Sequence, residues 1–116
     1  LPSVITRGDF LLTISTGGNF PGLSKVLRKK LELEFGEEYE FFLELMGQIR
    51  ELIKERVEFE DKRRKIFCRL ANLEIVKLFK NDRVAGFEAI NKILWDEFDL
   101  KIVIEHKNDY KILKCE

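Results

Sequence analysis

Two cysteines, one histidine and no excess of either charge set the first limits on this chain of 116 residues. Cys68 and Cys115 show no C-x-x-C spacing and stand far apart, so neither a disulfide framework nor a zinc knuckle has support. A reducing cytoplasm is then the simplest setting. His106 has no partner at metal-ligand spacing and reads as structural or exposed. Lys+Arg and Asp+Glu are both 21, giving a net charge of zero, which favours neither general nucleic-acid binding nor adsorption to a membrane. No apolar run approaches the roughly 18 residues of a membrane span, and no signal-peptide pattern opens the chain. A soluble protein is expected. Internal repeats and low-complexity linkers are also lacking. The chain opens with Leu1 and Pro2 instead of Met and reads as a fragment of a longer polypeptide.

What is present suits one domain, with 45% hydrophobic residues for a modest core. Asp9 to Thr16, "DFLLTIST", joins Phe, Leu, Ile and Thr in a short run and predicts a strand. "GGNFPG", Gly17 to Gly22, predicts a loop, because Gly-Gly permits positive φ and Pro21 disfavours helical geometry at Phe20. A helix is expected from Pro21, with Leu23, Val26, Leu27 and Leu31 on its apolar spacing and Lys25, Arg28, Lys29 and Lys30 on the other faces. Gly36 punctuates, and a long amphipathic helix should run from Glu37 to about Glu58 with Phe41, Phe42, Leu45, Ile49, Leu52 and Ile53 on one stripe. Another start falls near Asp61, with Ile66, Phe67, Leu70, Leu73 and Val76 on its apolar face. Asn81-Asp82 can end that helix and cap the next, which carries Val84, Phe87, Ile90, Ile93, Leu94 and Phe98. Trp95 and the helix phenylalanines are assigned to the core. "LKIVIEHKNDYKILKC" then offers two short β-like runs around Lys107-Asn108-Asp109, which fits a hairpin or one irregular strand pair. The fold class expected is α+β and mainly helical, with a short N-terminal β element, about four helices and a weak C-terminal β element. Exposed strand edges at both ends would be a liability in a monomer, so a strand-paired or interlocked dimer is expected.

The strand, glycine loop and helix start form the one constellation that looks chemical. N–H groups of a Gly-Gly turn, free N–H groups of a helix's first turn, and the Ser15 and Thr16 hydroxyls can together hold an oxyanion, with Lys25 and Arg28 adding charge. A tight connection whose glycines serve only backbone geometry is the alternative. Gly17 and Gly22 have the glycine spacing of a P-loop, but Leu23 stands where its lysine belongs, and G-x-G-x-x-G is absent. Arg50 is a surface residue or a cleft cation. Arg63 and Arg64 belong to a mixed-sign stretch that reads as a solvated helix junction within reach of a polyanion. No nucleophile, catalytic triad or metal ligand set can be assembled.

"LPSVITRGDFLLTISTGGNFPGLSKVLRKKLE", Leu1 to Glu32, resembles the segment that follows the dinucleotide-binding domain in the siroheme synthase family, the precorrin-2 dehydrogenases and sirohydrochlorin ferrochelatases. The resemblance rests on Pro2, Val4-Ile5, Arg7-Gly8, the strand Leu11 to Ile14, Ser15-Thr16, Gly17-Gly18, Pro21, and Leu27-Arg28 through Leu31-Glu32. "QIRELIKE" and "DKRRKIF" extend it to about residue 70, while the tail from Asn81 carries no recognised motif. One departure is Phe20, where the family usually has Ser.

The resemblance implies that the intact protein oxidises precorrin-2 to sirohydrochlorin with NAD, and some members also insert ferrous iron. It implies that the NAD fingerprint and catalytic aspartate lie in a preceding domain absent from this fragment, which holds no catalytic residue of its own. Residues 1–80 would form the dimerisation and tetrapyrrole-binding region, and 81–116 a helix and β-like tail of unknown role. The substrate carries eight carboxylates, so Ser15, Thr16, Gly17, Gly18, Arg28 and Arg50 become the substrate-binding candidates. The expected partners are a second copy of the chain and the tetrapyrrole, with neither nucleic acid nor membrane. The rival reading is a helical interaction or assembly module that kept the fold without the chemistry.

Overall fold

A computed structural model describes residues 2–106 and 109–114, including the backbone of His106 but not its side chain. The expected turn at Lys107-Asn108, the His106 side chain and Cys115 lie outside the described residues. The chain divides into two compact units, Leu1–Leu43 and Glu44–Glu116. The fold is mainly helical α+β, as expected.

In the first unit, β1 (Ser3–Arg7) pairs antiparallel with β2 (Phe10–Ile14), Arg7 opposite Phe10 and Ser3 opposite Ile14. Gly8 and Asp9 form the connection. Gly8 takes φ 62°, the left-handed geometry that a two-residue hairpin turn demands at this position. The strand expected over Asp9 to Thr16 is therefore the second arm of a hairpin. Its first arm escaped notice because Ser3, Thr6 and Arg7 dilute the apolar alternation, although Ile5 is fully buried. Helix α1 (Pro21–Glu34) packs on this hairpin. Ser24 is buried between them, its Oγ donating to the Pro21 carbonyl at 2.9 Å and accepting from Ser3 Oγ at 3.5 Å. Phe10, Phe35 and Tyr39 close the other end of the unit as a ring cluster with centroids 4.9–5.5 Å apart.

Helix α2 (Glu37–Arg56) starts where expected and stops two residues early. Beyond it come α3 (Glu60–Leu70), α4 (Leu73–Asn81), α5 (Arg83–Phe98), and the antiparallel pair β3 (Leu100–His106) and β4 (Asp109–Lys114). Five helices are thus present among the described residues, not about four. The helix expected to continue from Asp61 past Val76 is broken at Ala71-Asn72, because Asn72 caps a new one, its Oδ1 accepting the Glu74 N–H at 2.8 Å. Leu73, assigned to the apolar face of an unbroken helix, becomes the first residue of α4 and is 66% exposed. Asp82 caps α5 as expected, accepting from the Val84 and Ala85 N–H groups.

Ile49, Ile53, Ile66, Leu70, Ile90, Leu94, Leu100 and Ile112 are among the fully buried side chains of the second unit. Trp95 does not join them. Leu94 takes the core position, and the next residue, rotated by about 100° on a helix, leaves the indole 52% exposed. Val84, likewise assigned to the apolar face, is exposed. Helices α4 and α5 approach closely enough that a Cβ at Gly86 would lie 2.7 Å from the buried Phe79 ring.

The sheet is tied to α5 by one amide. Asn91 Oδ1 accepts the Ile102 N–H at 2.7 Å, and its Nδ2 donates to the Ile102 carbonyl at 3.1 Å. A primary amide thereby reproduces the pairing of a neighbouring strand. Truncating Asn91 to Ala strands both Ile102 groups in a half-buried setting and is expected to cost about 1–3 kcal/mol in urea denaturation. Asn91→Asp should recover none of the lost donor.

Helices α3 and α5 are joined at the surface by a bidentate pair, Arg69 Nε to Glu97 Oε1 at 2.7 Å and Arg69 Nη2 to Glu97 Oε2 at 2.7 Å. The hydrogen bond and charge of Arg69 hold the Glu97 carboxyl below its ordinary value. A depressed carboxylate pKa stabilises the fold above the unfolded-state value, and the contribution disappears as pH falls through the folded value. Urea midpoints of the wild type and Arg69→Met should therefore differ at neutral pH, and converge below the carboxylate range and at high salt.

Candidate anion-binding loop

Thr16 to Asn19 forms a turn closed by the Asn19 N–H donating to the Thr16 carbonyl at 3.2 Å. Both central residues are left-handed, Gly17 at φ 65° and Gly18 at φ 78°, a conformation costly for residues with a Cβ. The glycines thus do have the geometric task that one reading of the sequence gave them. That task also decides which donors face outward. The Gly17 N–H turns back to Ser15 Oγ at 3.2 Å and the Phe20 N–H to Thr16 Oγ1 at 3.4 Å. The Gly18 and Gly22 N–H groups have no hydrogen-bond partner among the described residues, and both glycines are exposed. Ser15 and Thr16 accept with their oxygens and keep their hydroxyl protons for an external acceptor. Two N–H and two O–H donors therefore converge on one exposed loop, chemistry suited to a carboxylate or phosphate oxygen.

The start of α1 belongs to this site. Pro21 at the first helical position has no N–H, and Phe20 supplies no side-chain cap, so Gly22 is the first free donor of the helix dipole. Phe20 itself is 64% exposed, its ring edge 3.5 Å from where a Gly22 Cβ would sit. It stands beside the loop without filling it.

Arg28 lies about two turns along α1, roughly 10 Å from Pro21 along the axis. Its Nη1 is paired with Glu32 Oε1 at 2.9 Å across one helical turn. Any ligand carboxylate must share or displace that partner. Arg50 belongs to the second unit, exposed on α2, with its guanidinium carbon 5.7 Å from the centroid of the Phe67 ring. Of the six candidates, Ser15, Thr16, Gly17 and Gly18 make one loop, Arg28 stands on the adjoining helix, and Arg50 is engaged by an aromatic face in the other unit. Arg63 is structural: its Nη1 donates to the Val57 and Glu58 carbonyls, each at 2.8 Å. Arg64 pairs with Asp61 at 3.4 Å.

Arg7 was not among the site candidates. Its Nε donates to the Phe35 carbonyl at 2.8 Å and its Nη2 to the Glu32 carbonyl at 3.2 Å, carbonyls that the end of α1 leaves without intrahelical partners. The guanidinium fixes the C-terminus of α1 to the hairpin that carries the loop. A basic residue before a hairpin glycine was the only signal in the sequence, and it did not reveal a partner 28 residues away.

Comparison with known proteins gives this arrangement relatives. Precorrin-2 dehydrogenase of Methanosarcina barkeri is 36% identical over 76 residues, covering 66% of this chain and 34% of that protein. Siroheme synthase 2 of Serratia proteamaculans is 28% identical over 107 residues, 92% of this chain and 21% of the relative. Siroheme synthase of Escherichia coli is 33% identical over 95 residues, 78% of this chain and 18% of that one. No family model matches the chain. The solved precorrin-2 dehydrogenase SirC shares the fold with a TM-score of 0.62 at 22% identity, over 80% of this chain and 45% of its own. The resemblance to the siroheme synthase family therefore holds: this chain is similar to precorrin-2 dehydrogenases and siroheme synthases over 66–92% of its length. It spans about a third of the archaeal relative and about a fifth of the bacterial ones. The Serratia match is long enough to enter the tail beyond Asn81, where no motif had been recognised.

Replacing Arg7 with Met is expected to lower stability by about 1–3 kcal/mol through the unpaired carbonyls. Arg7→Lys should restore only part of it, because an ammonium lacks the planar fork. Urea denaturation of the three proteins is the measurement.

Proposed function

We propose that this chain is the dimerisation and tetrapyrrole-binding portion of a precorrin-2 dehydrogenase, an enzyme that oxidises precorrin-2 to sirohydrochlorin with NAD in siroheme biosynthesis, and in some relatives also inserts ferrous iron. The observation that carries the proposal is the match with the named relatives, read together with an exposed loop that holds two unpartnered N–H donors, Gly18 and Gly22. In this reading the Ser15 and Thr16 hydroxyls and the Gly18 N–H bind a substrate carboxylate. Gly17 holds the turn that aims them. Arg28 neutralises charge by exchanging Glu32 for the ligand. Residues 1–80 would carry dimerisation and binding, with 81–116 as an appended helix and hairpin.

The residues present do not fit NAD. There is no G-x-G-x-x-G, and Leu23 stands where a P-loop would have its lysine. Hydride transfer is therefore assigned to the dinucleotide domain of an intact enzyme, and no step of it to this chain. Homodimer formation draws support from the β1–β2 hairpin. Its outer face presents Val4 and Leu11 to solvent, and α1 adds the exposed Val26 and Leu33. Among the described residues, no helix is long and apolar enough to cross a membrane.

The rival assembly module is favoured by one observation, the Arg28–Glu32 pair, which leaves the helix cation already satisfied. An anaerobic absorbance titration with sirohydrochlorin separates the two. The binding reading expects saturation, a loss of about tenfold in affinity for Arg28→Ala, a smaller loss for Thr16→Ala, and a gain for Glu32→Gln, which releases Arg28. Absence of binding, or binding indifferent to all three variants, favours the module. Light scattering tests the dimer separately, and a monomer would remove that part of the proposal.

A further inference from the structure

The second unit contains a cleft of about 370 Å³ that takes no part in the glycine loop. Its cations come from three elements: Arg56 at the end of α2, Lys62 in the first turn of α3 and Lys114 at the end of β4. Among the described residues none of the three side chains has an ion pair or a hydrogen-bond partner. Arg28, Arg69, Lys92 and Lys111, by contrast, each have a carboxylate within 3.5 Å. Two phenylalanines give the cleft apolar walls, Phe98 half-buried and Phe59 71% exposed. An exposed aromatic beside unpaired cations is the combination that recognises a flat anion.

Two further features belong to the walls. Arg63 holds the Val57 and Glu58 carbonyls at 2.8 Å each, which fixes the connection between α2 and α3 that carries Phe59. Across the cleft, Asp99 occupies the left-handed cap of α5 at φ 56°, the only described residue other than glycine with positive φ. Glycine or asparagine is the usual occupant of such a cap. Asp99 and Glu58, each with a carboxylate side chain, both line the cleft. These two acceptors would engage N–H or O–H donors of a ligand whose anionic group meets the cations.

We propose that this cleft binds a small flat organic phosphate with hydrogen-bond donors on its ring or sugar, the chemistry of a nucleoside monophosphate. The cations take the phosphate, with Arg56 able to grip two oxygens at once. Phe59 and Phe98 cover the ring, and Asp99 and Glu58 accept from its donors. The site is independent of the tetrapyrrole reading, since it uses none of the loop residues and is tested with a different ligand.

The test is a titration of the isotope-labelled 116-residue chain with AMP, followed by amide chemical shifts. Saturable shifts are expected at Phe59, Lys62, Asp99 and Leu100, weakened by about tenfold or more in the Lys62→Glu, Lys114→Glu double variant and by several-fold in Phe59→Ala. Asp99→Asn, which keeps the cap geometry, should weaken AMP but leave inorganic phosphate unaffected. Unperturbed spectra of each variant away from the cleft establish that folding is intact. The proposal is overturned if AMP shifts none of these amides, if the shifts spread over exposed lysines such as Lys29 and Lys30 instead, or if inorganic phosphate binds as tightly as AMP.

Discussion

Side chains that complete an unfinished backbone hold this structure together. A two-stranded sheet leaves half its strand edges unpaired, and a helix ends with carbonyls that no later turn can reach. Asn91 supplies the neighbour that β3 lacks, with both atoms of one amide. Arg7 does the same for the end of α1, and Arg63 for the connection after α2. Neither sheet has more than two strands, so an unpaired group on either has few alternatives. In each case a buried or half-buried peptide group would otherwise be desolvated without compensation, which is more costly than the modest net worth of the bond formed.

The same accounting defines the glycine loop. Ser15 and Thr16 consume the Gly17 and Phe20 N–H groups, and the turn consumes that of Asn19. What remains without an internal partner among the described residues includes the Gly18 and Gly22 N–H groups. Free N–H groups of this kind can meet an anion's oxygen. The loop is positioned by the hairpin, whose own attachment to α1 passes through Arg7 and the buried Ser24.

Much of this was legible in the sequence. The apolar spacing of α2 and α5, the Asp82 cap, the Gly-Gly turn before Pro21 and the terminal hairpin each rest on local chemistry that needs no distant partner. The break between α3 and α4 was missed because Ala71 and Asn72 are compatible with a helix until the Asn72 side chain commits to the Glu74 N–H. Trp95 was misassigned by size: a large apolar residue next to Leu94 is on the wrong side of the helix by one residue. β1 was missed because its only fully buried side chain is Ile5. Arg7, Asn91 and the cleft around Phe59 were invisible for a common reason. Their meaning lies in groups brought near by the fold, and no spacing in the sequence records it. The loop's donors were legible as residue types, but which would face inward was not.

Pro21 has a consequence of its own. By removing one N–H from the first turn of α1 it thins the donors at the mouth of the helix, leaving Gly22 next to Gly18 as backbone amides open to water. Their neighbours Gly17, Asn19 and Phe20 are each held by an internal bond. The Gly18 and Gly22 amides are therefore expected to exchange with solvent faster than those of Gly17, Asn19 and Phe20. An anion seated there would silence the fast ones first, so occupancy is written into the pattern of solvent exchange even where the backbone does not move.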